Sequence, residues 1–268
     1  MSRLAWLTAR PVAHRGLHDC GLRIIENTAS AVSAAIAQQY GVEVDLQVTV
    51  DGDAMVHHDA VLGRLTDGAG KLADMTAVQL KRVRFKATDD RMLTLGELCD
   101  LVAGRTLLLL ELKSAFDGDR RLVQRTAQVL DGYAGPVAAM SFDPNLVRAM
   151  QHAAPELVRG ITAMRCYPGS QWPALSAWQK HLWPHLLPRA ITCAQFVAYG
   201  LRDMPAIAPT IARRVLRLPT FAWVARSEDD ARYASRFADQ IIFEGFRPQN
   251  APQEPRDALP FDLARRPA

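Results

Sequence analysis

The chain has 268 residues, of which 49% are hydrophobic and 22% charged, and its formal net charge is +4. These values are ordinary for a globular protein, which excludes a disordered chain, and no stretch reaches the roughly 18 consecutive apolar residues of a membrane span. Scattered basic residues favour anionic small molecules over nucleic acid as partners. Four separated cysteines without a CxxC pair exclude a recognisable zinc site or disulfide framework. With no signal-peptide pattern at the start, we expect a cytoplasmic protein.

Short strand-like runs alternate with segments of helical periodicity along the chain. The predicted strands are residues 11–15, 42–50, 54–58, 106–113, 137–142, 159–164, 191–198, 220–225 and 239–245. The first helix is expected to begin at a cap on Asn27 or Thr28 and to end at Gly41. This alternation predicts parallel strands in a (β/α)8 TIM barrel. A doubly wound open sheet is the structural alternative, but no GxGxxG sequence follows the first strand.

Strand periodicity places acidic side chains on the same faces of two predicted strands. Glu43 and Asp45 share one face of the second strand, and Glu111 and Lys113 share one face of a later strand near its C-terminal end. Buried and unpaired, each would cost several kcal/mol. An ion-pair network between strands and helices would offset that cost. A bound Mg²⁺ or Ca²⁺ would also do so, because both ions prefer carboxylate oxygens.

Two histidines lie near the ends of separate predicted strands. His14 lies at the end of the first strand, and either His57 or His58 lies at the end of the third. A histidine beside an acidic metal site is a candidate general acid or base, although a single histidine is more often structural. Arg15 and Lys113 add fixed positive charge, which suits phosphate oxygens.

An ordered set of short motifs resembles the glycerophosphodiester phosphodiesterase family. The motifs are "HRG" (14–16), "ENT" (26–28), "EVD" (43–45), "DG" (51–52), "HD" (58–59), "TLGEL" (94–98), "ELK" (111–113) and "SFD" (141–143). The resemblance implies a (β/α)8 barrel that uses one divalent cation to hydrolyse a glycerophosphodiester to glycerol 3-phosphate and an alcohol. It also implies one domain over residues 1–268, with a small insertion at about 46–105 between the second and third barrel strands.

Carried over by position, the resemblance implies metal ligands, an acid–base pair and phosphate-contacting cations. These are Glu43, Asp45 and Glu111, then His14 and His58, then Arg15 and Lys113. The "HD" motif selects His58 over His57. The implied cofactor is Mg²⁺ or Ca²⁺, with Mn²⁺ as a further candidate. Trp223 matches a substrate-contacting aromatic position, and its alternative role is that of an ordinary core residue.

Three sites depart from the family's usual sequence. Ile25 stands where proline usually precedes "ENT", Arg226 stands where asparagine is common, and Phe243-Glu244 replaces a frequent "TD". The last two sites are expected to lie where the leaving alcohol is met. The aromatic segment 167–190 is expected to be a helix packed over the barrel, with a lid, a dimer contact or a membrane-surface patch as alternatives.

The expected partner is a small-molecule glycerophosphodiester, with no nucleic acid and no stable membrane insertion, and we expect a monomer or a homodimer. Two alternatives remain for the function. The chain could cleave a bulkier diester, such as a lysophospholipid or a sugar phosphodiester, which the apolar segment 167–190 would permit. It could also be a barrel without catalysis that binds a phosphorylated ligand.

Overall fold

The computed structural model describes residues 4–169, 172–186 and 193–248. The strands are β1 (Val12–Ala13), β2 (Gly41–Val48), β3 (Ala54–Val56), β4 (Leu108–Leu112), β5 (Val137–Ser141), β6 (Val158–Ala163), β7 (Phe196–Gly200), β8 (Thr220–Ala225) and β9 (Gln240–Phe243). All except β3 are parallel, and β1 pairs with both β2 and β9, which closes the barrel. The predicted (β/α)8 barrel is therefore confirmed, and the open-sheet alternative is wrong.

Helices follow most of the barrel strands. They are α1 (Ala29–Ala37), α2 (Ala77–Arg82), α3 (Leu95–Val102), α4 (Arg121–Leu130), α5 (Pro144–Ala153), α6 (Ala177–Leu182), α7 (Ile207–Arg214) and α8 (Glu228–Ala234). Thr28 is the N-cap of α1, since its hydroxyl accepts a hydrogen bond from the Ala31 amide. Asn27, the other predicted cap, lies outside the helix and turns its side chain elsewhere. Across the described residues, no helix combines the length and apolar character of a membrane span.

Between β2 and β4 the chain makes an excursion from the barrel. β3 pairs antiparallel with β2, and it ends at Val56, two residues earlier than the predicted strand 54–58. α2 and the loops around it carry their own apolar cluster, which includes Leu72, Leu80 and Phe85. The excursion therefore has a small core of its own beside the barrel.

Alternation along the strands separates two cores. One apolar cluster fills the lower interior of the barrel, with Leu109, Phe196 and Phe221 among its members. A second and larger cluster lies between the strands and the helices, and Val44 and Leu110 belong to it. Because side chains alternate along a strand, the residues that follow Leu109 at every second position also face the interior. Polar side chains on that face therefore lie above the apolar floor.

Candidate active site

A pocket of about 330 Å³ opens above the apolar floor. It is lined by most of the residues that the sequence singles out: His14, Arg15, Asp45, His58, Glu111, Lys113 and Trp223. Such a position, at the C-terminal ends of the strands, is where TIM-barrel enzymes carry their active sites. Glu43 lies deeper on the same face of β2 and is buried. The structure thus brings together all eight predicted site residues.

Three carboxylates converge at the floor of the pocket. The register of β2 and β4 pairs Asp45 directly with Glu111, and Glu43 precedes Asp45 by two residues on the same face. One oxygen from each of the three lies within 4.8 Å of the others. We name Glu43, Asp45 and Glu111 the acidic triad. Among the described residues, Glu43 Oε1 is buried without a hydrogen-bond partner.

Cations surround the acidic triad. The Lys113 ammonium lies 2.8 Å from Asp45 Oδ1 and also contacts Glu111 Oε1. Arg15 Nε lies 3.2 Å from Asp45 Oδ2, and the Arg15 amide donates to Glu43 Oε2 at 2.9 Å. Both cations are therefore held at the rim of the triad, where an anionic group would meet them.

The chain reaches this geometry through a tight turn after β1. Arg15 and Gly16 both adopt positive φ angles, of 57° and 79°. A Cβ atom on Gly16 would lie 2.7 Å from the carbonyl carbon of Ala31 in α1, so only glycine fits there. This turn aims Arg15 at the triad. Asn27, from the following loop, donates to Asp45 Oδ2 at 2.8 Å and accepts from the Asp45 amide at 3.1 Å.

Each of the two candidate histidines is hydrogen-bonded through Nδ1 to a carboxylate. His14 Nδ1 lies 2.5 Å from Glu244 Oε2, and His58 Nδ1 lies 2.8 Å from Asp59 Oδ1. Both Nε2 atoms are thereby left for the pocket. His57 does not line the pocket. Its ring is buried against Phe85, and its backbone amide donates a hydrogen bond to the Asp45 carbonyl.

Burial and neighbouring charge set the protonation of these groups. Burial, together with Asp45 and Glu111, raises the pKa of Glu43 well above its usual value. Burial acts in the same direction on Asp45, but Lys113 and Arg15 outweigh it, so the pKa of Asp45 is lowered. Burial also lowers the pKa of His14, which favours the neutral imidazole at pH 7. The triad thus holds one carboxyl that resists ionisation until positive charge is added.

Aromatic side chains form one side of the pocket. We name Phe116, Phe142, Trp172 and Trp223 the aromatic wall; all four line the pocket. The ring of Phe142 lies 4.9 Å from that of Trp172 and 5.5 Å from that of Trp223, measured between centroids. Segment 167–190 supplies Trp172, while α6 and a buried Trp183 pack nearby and Trp178 is exposed. Residues 170, 171 and 187–190 of that predicted segment lie outside the described residues.

A sequence profile of the glycerophosphoryl diester phosphodiesterase family matches residues 14–232. The chain belongs to this family. The human protein "Glycerophosphodiester phosphodiesterase 1" is 38% identical over 96 residues, which cover 32% of this chain and 28% of that protein. The glycerophosphodiester phosphodiesterase of Caldanaerobacter subterraneus subsp. tengcongensis is 29% identical over 160 residues, which cover 56% of this chain and 65% of that protein. The chain therefore spans less than two thirds of each of these relatives.

Solved structures share the fold. A phosphodiesterase of Oleispira antarctica, in complex with the product sn-glycerol-3-phosphate, superposes with a TM-score of 0.72 at 20% identity, covering 89% of this chain and 93% of that one. The glycerophosphodiester phosphodiesterase of Thermotoga maritima gives a TM-score of 0.66 at 21% identity, covering 87% and 94%. The resemblance predicted from the motifs is confirmed at the level of family and fold.

Sequence reasoning missed several residues that shape the site. Asn27 and Glu26 belong to the "ENT" motif, but their contacts with Asp45 and Arg15 need the folded loop. Glu244 was noted in the sequence only as a departure from the family's "TD", and the structure places its carboxylate against His14. The Ile25 departure has a packing reason, because its buried side chain joins the apolar cluster of the excursion between β2 and β4.

Proposed function

We propose that the chain hydrolyses glycerophosphodiesters to glycerol 3-phosphate and an alcohol in a metal-dependent reaction. The observation that carries this proposal is the convergence of three carboxylates, two cations and two histidines on one pocket at the C-terminal end of the barrel. Family membership supports the same reaction class.

The acidic triad fits one divalent cation. Its oxygens are the hard donors that Mg²⁺, Ca²⁺ and Mn²⁺ accept, and the buried oxygen of Glu43 without a partner among the described residues supports a ligand role. When bound, such an ion supplies positive charge to a phosphoryl oxygen. Glu43, Asp45 and Glu111 would hold it. Asn27 donates a hydrogen bond to Asp45 Oδ2 and so restricts the orientation of the Asp45 carboxylate toward a bound ion.

The remaining residues act on the phosphodiester directly. Arg15 and Lys113 bind the non-bridging oxygens and orient the phosphorus, since both are fixed by carboxylates at the rim of the triad. One of His14 and His58 accepts a proton from the attacking oxygen, and the other donates a proton to the departing alkoxide, each through Nε2. Trp223 packs against the glycerol or alcohol group, and its buried indole N–H, which lacks a partner in the described chain, can donate to a hydroxyl.

The test is release of glycerol 3-phosphate from glycerophosphocholine and glycerophosphoethanolamine. We expect release to stop with EDTA and to return with added Mg²⁺, Ca²⁺ or Mn²⁺. His14→Ala should abolish release, whereas exposed His152 serves as the matched control and His152→Ala should keep it. No release with any ion, from protein shown to be folded, would contradict the proposal and favour a barrel that only binds a phosphorylated ligand.

The aromatic wall favours a second candidate, cleavage of a diester with a bulkier apolar group. Four aromatic rings on one side of the pocket provide more apolar surface than a small alcohol needs. Lysophosphatidylcholine tests this candidate beside glycerophosphocholine. A kcat/KM for the lysophospholipid higher than that for glycerophosphocholine, reduced specifically by Trp172→Ala, would establish it.

We further propose that the chain works as one barrel domain over residues 1–268, with about 46–105 as its insertion, and as a monomer or a homodimer in the cytoplasm. Among the described residues all four cysteines are free thiols, which supports a reducing compartment. The expected partners remain small glycerophosphodiesters, without nucleic acid or stable membrane insertion. Light scattering and cell fractionation test these statements.

A further inference from the structure

The C-terminal ends of β8 and β9 carry an ion pair that reaches a candidate histidine. Arg226 follows β8 and Glu244 follows β9, and the Glu244 amide donates to the Ala225 carbonyl at 3.0 Å. Arg226 Nη2 lies 2.7 Å from Glu244 Oε1, while the other carboxylate oxygen, Oε2, lies 2.5 Å from His14 Nδ1. Each oxygen of one carboxylate thus has its own partner.

This arrangement determines which nitrogen of His14 carries the proton. His14, with the nearby His18, lowers the pKa of Glu244, so the carboxylate is ionised and can only accept hydrogen bonds. Nδ1 of His14 must therefore donate, and the lone pair of Nε2 faces the pocket. Arg226 holds the carboxylate by its other oxygen and restricts its rotation. Among the described residues, Arg15 and Asp45 also act electrostatically on His14.

We propose that Arg226 and Glu244 are a coupled pair of positioning residues that fixes the Nδ1–H tautomer and the ring orientation of His14. The proposal rests on the proposed function for its catalytic consequence, because it needs His14 to transfer a proton. The two positions where the sequence departs from the family's common asparagine and "TD" therefore contact each other and act on the acid–base group. Arg226 also lines the pocket, but its guanidinium is bound to Glu244.

The same contacts oppose two other roles for these residues, an ion site and an alcohol contact. His14, His18 and Glu244 offer donor atoms within 4.8 Å of one another and could in principle hold an ion. A cation bound there would be repelled by two fixed positive charges, Arg226 on the same carboxylate and Arg15 beside His14. Arg226 could instead bind the leaving alcohol, a role that its ion pair with Glu244 opposes.

Steady-state kinetics with saturating cation separate positioning from substrate binding. We expect Glu244→Ala to lower kcat by roughly 100-fold and Arg226→Ala by roughly 10-fold, with KM nearly unchanged in both. Glu244→Asp should recover part of kcat. The double variant should be no slower than Glu244→Ala, because Arg226 acts through Glu244. Arg213 of α7 provides a matched control: it pairs at 2.7 Å with Asp239, which precedes β9 at the end remote from the pocket, and Arg213→Ala should keep kcat.

Nitrogen NMR of histidine-labelled full-length protein reads the tautomer without activity. We expect the His14 signal, assigned by its loss in His14→Gln, to show protonated Nδ1 in the wild type and to shift toward protonated Nε2 in Glu244→Ala. An unchanged tautomer in that variant would overturn the inference. So would an Arg226→Ala effect confined to KM, or effects that multiply in the double variant. A wild type that is inactive but shows the Glu244-dependent tautomer would overturn the proposed function and support the pair.

Discussion

Gly16→Ala tests whether the turn after β1 is what places Arg15 on the acidic triad. The new methyl group would lie 2.7 Å from the Ala31 carbonyl carbon and 2.8 Å from its Cβ, inside van der Waals contact with a buried helix. The backbone at position 16 also has a φ of +79°, a value that residues with a Cβ atom rarely adopt. Both effects oppose the native turn, so the variant should lose stability and displace Arg15.

Gly52 separates the two effects. Its φ is +82°, but a Cβ there would meet nothing within 4 Å. The left-handed backbone costs about 1–2 kcal/mol in either variant. Overpacking against α1 adds about 1–3 kcal/mol for Gly16→Ala alone, so we expect a loss of roughly 2–5 kcal/mol there against about 1–2 kcal/mol for Gly52→Ala.

Urea unfolding followed by circular dichroism measures both losses. Because Arg15 adjoins the altered residue, kcat/KM of Gly16→Ala should also fall, by roughly 100-fold if the guanidinium moves by about 1 Å. Gly52→Ala should keep the kcat/KM of the wild type. Equal stability losses in the two variants would refute the steric argument. If Gly16→Ala loses the predicted roughly 2–5 kcal/mol of unfolding free energy but keeps the kcat/KM of the wild type, the link to Arg15 is refuted.

Three further predictions concern charge and burial. A divalent cation at about 100 times its Kd should raise the free energy of unfolding by about 2.7 kcal/mol, or roughly 5–10 °C in calorimetry, and Glu111→Gln should remove most of that rise. Burial raises the pKa of Cys99 to about 11, so only about one thiol in a thousand is ionised at pH 8, and mass spectrometry should find it alkylated far more slowly than the exposed cysteines. Arg64, 48% exposed, contacts Asp59 at 2.6 Å; Arg64→Ala should cost under about 1 kcal/mol in urea unfolding yet lower kcat several-fold, because Asp59 then holds His58 less firmly.

The barrel and the acidic triad were predictable because both depend on short periods in the sequence. Alternation along β2 and β4 puts Asp45 and Glu111 on the interior face whatever the exact strand ends. Their direct pairing depends on the register between the two strands, which only the closed barrel supplies. His58 could not be chosen by alternation, because β3 ends at Val56 and the pattern of a strand does not extend to residues beyond it.

The contacts of Glu244 were beyond sequence reasoning for a different reason. It lies 230 residues from His14 along the chain, and nothing local relates the two. They meet because β1 and β9 are neighbours across the closure of the barrel. The contact of Asn27 was likewise not predictable from local sequence. Its position suggests a helix cap, but its side chain hydrogen-bonds Asp45, 18 residues further along the chain.

The closure of the barrel depends on a strand of only two residues. β1 joins β2 on one side and β9 on the other, and His14 and Arg15 follow it directly. So short a seam is the part of a sheet expected to open first, in a local fluctuation that leaves the other strands paired. Each opening would withdraw a proton-transfer group and a phosphate-binding group together. In rising urea, catalysis should therefore fail before the bulk of the secondary structure melts.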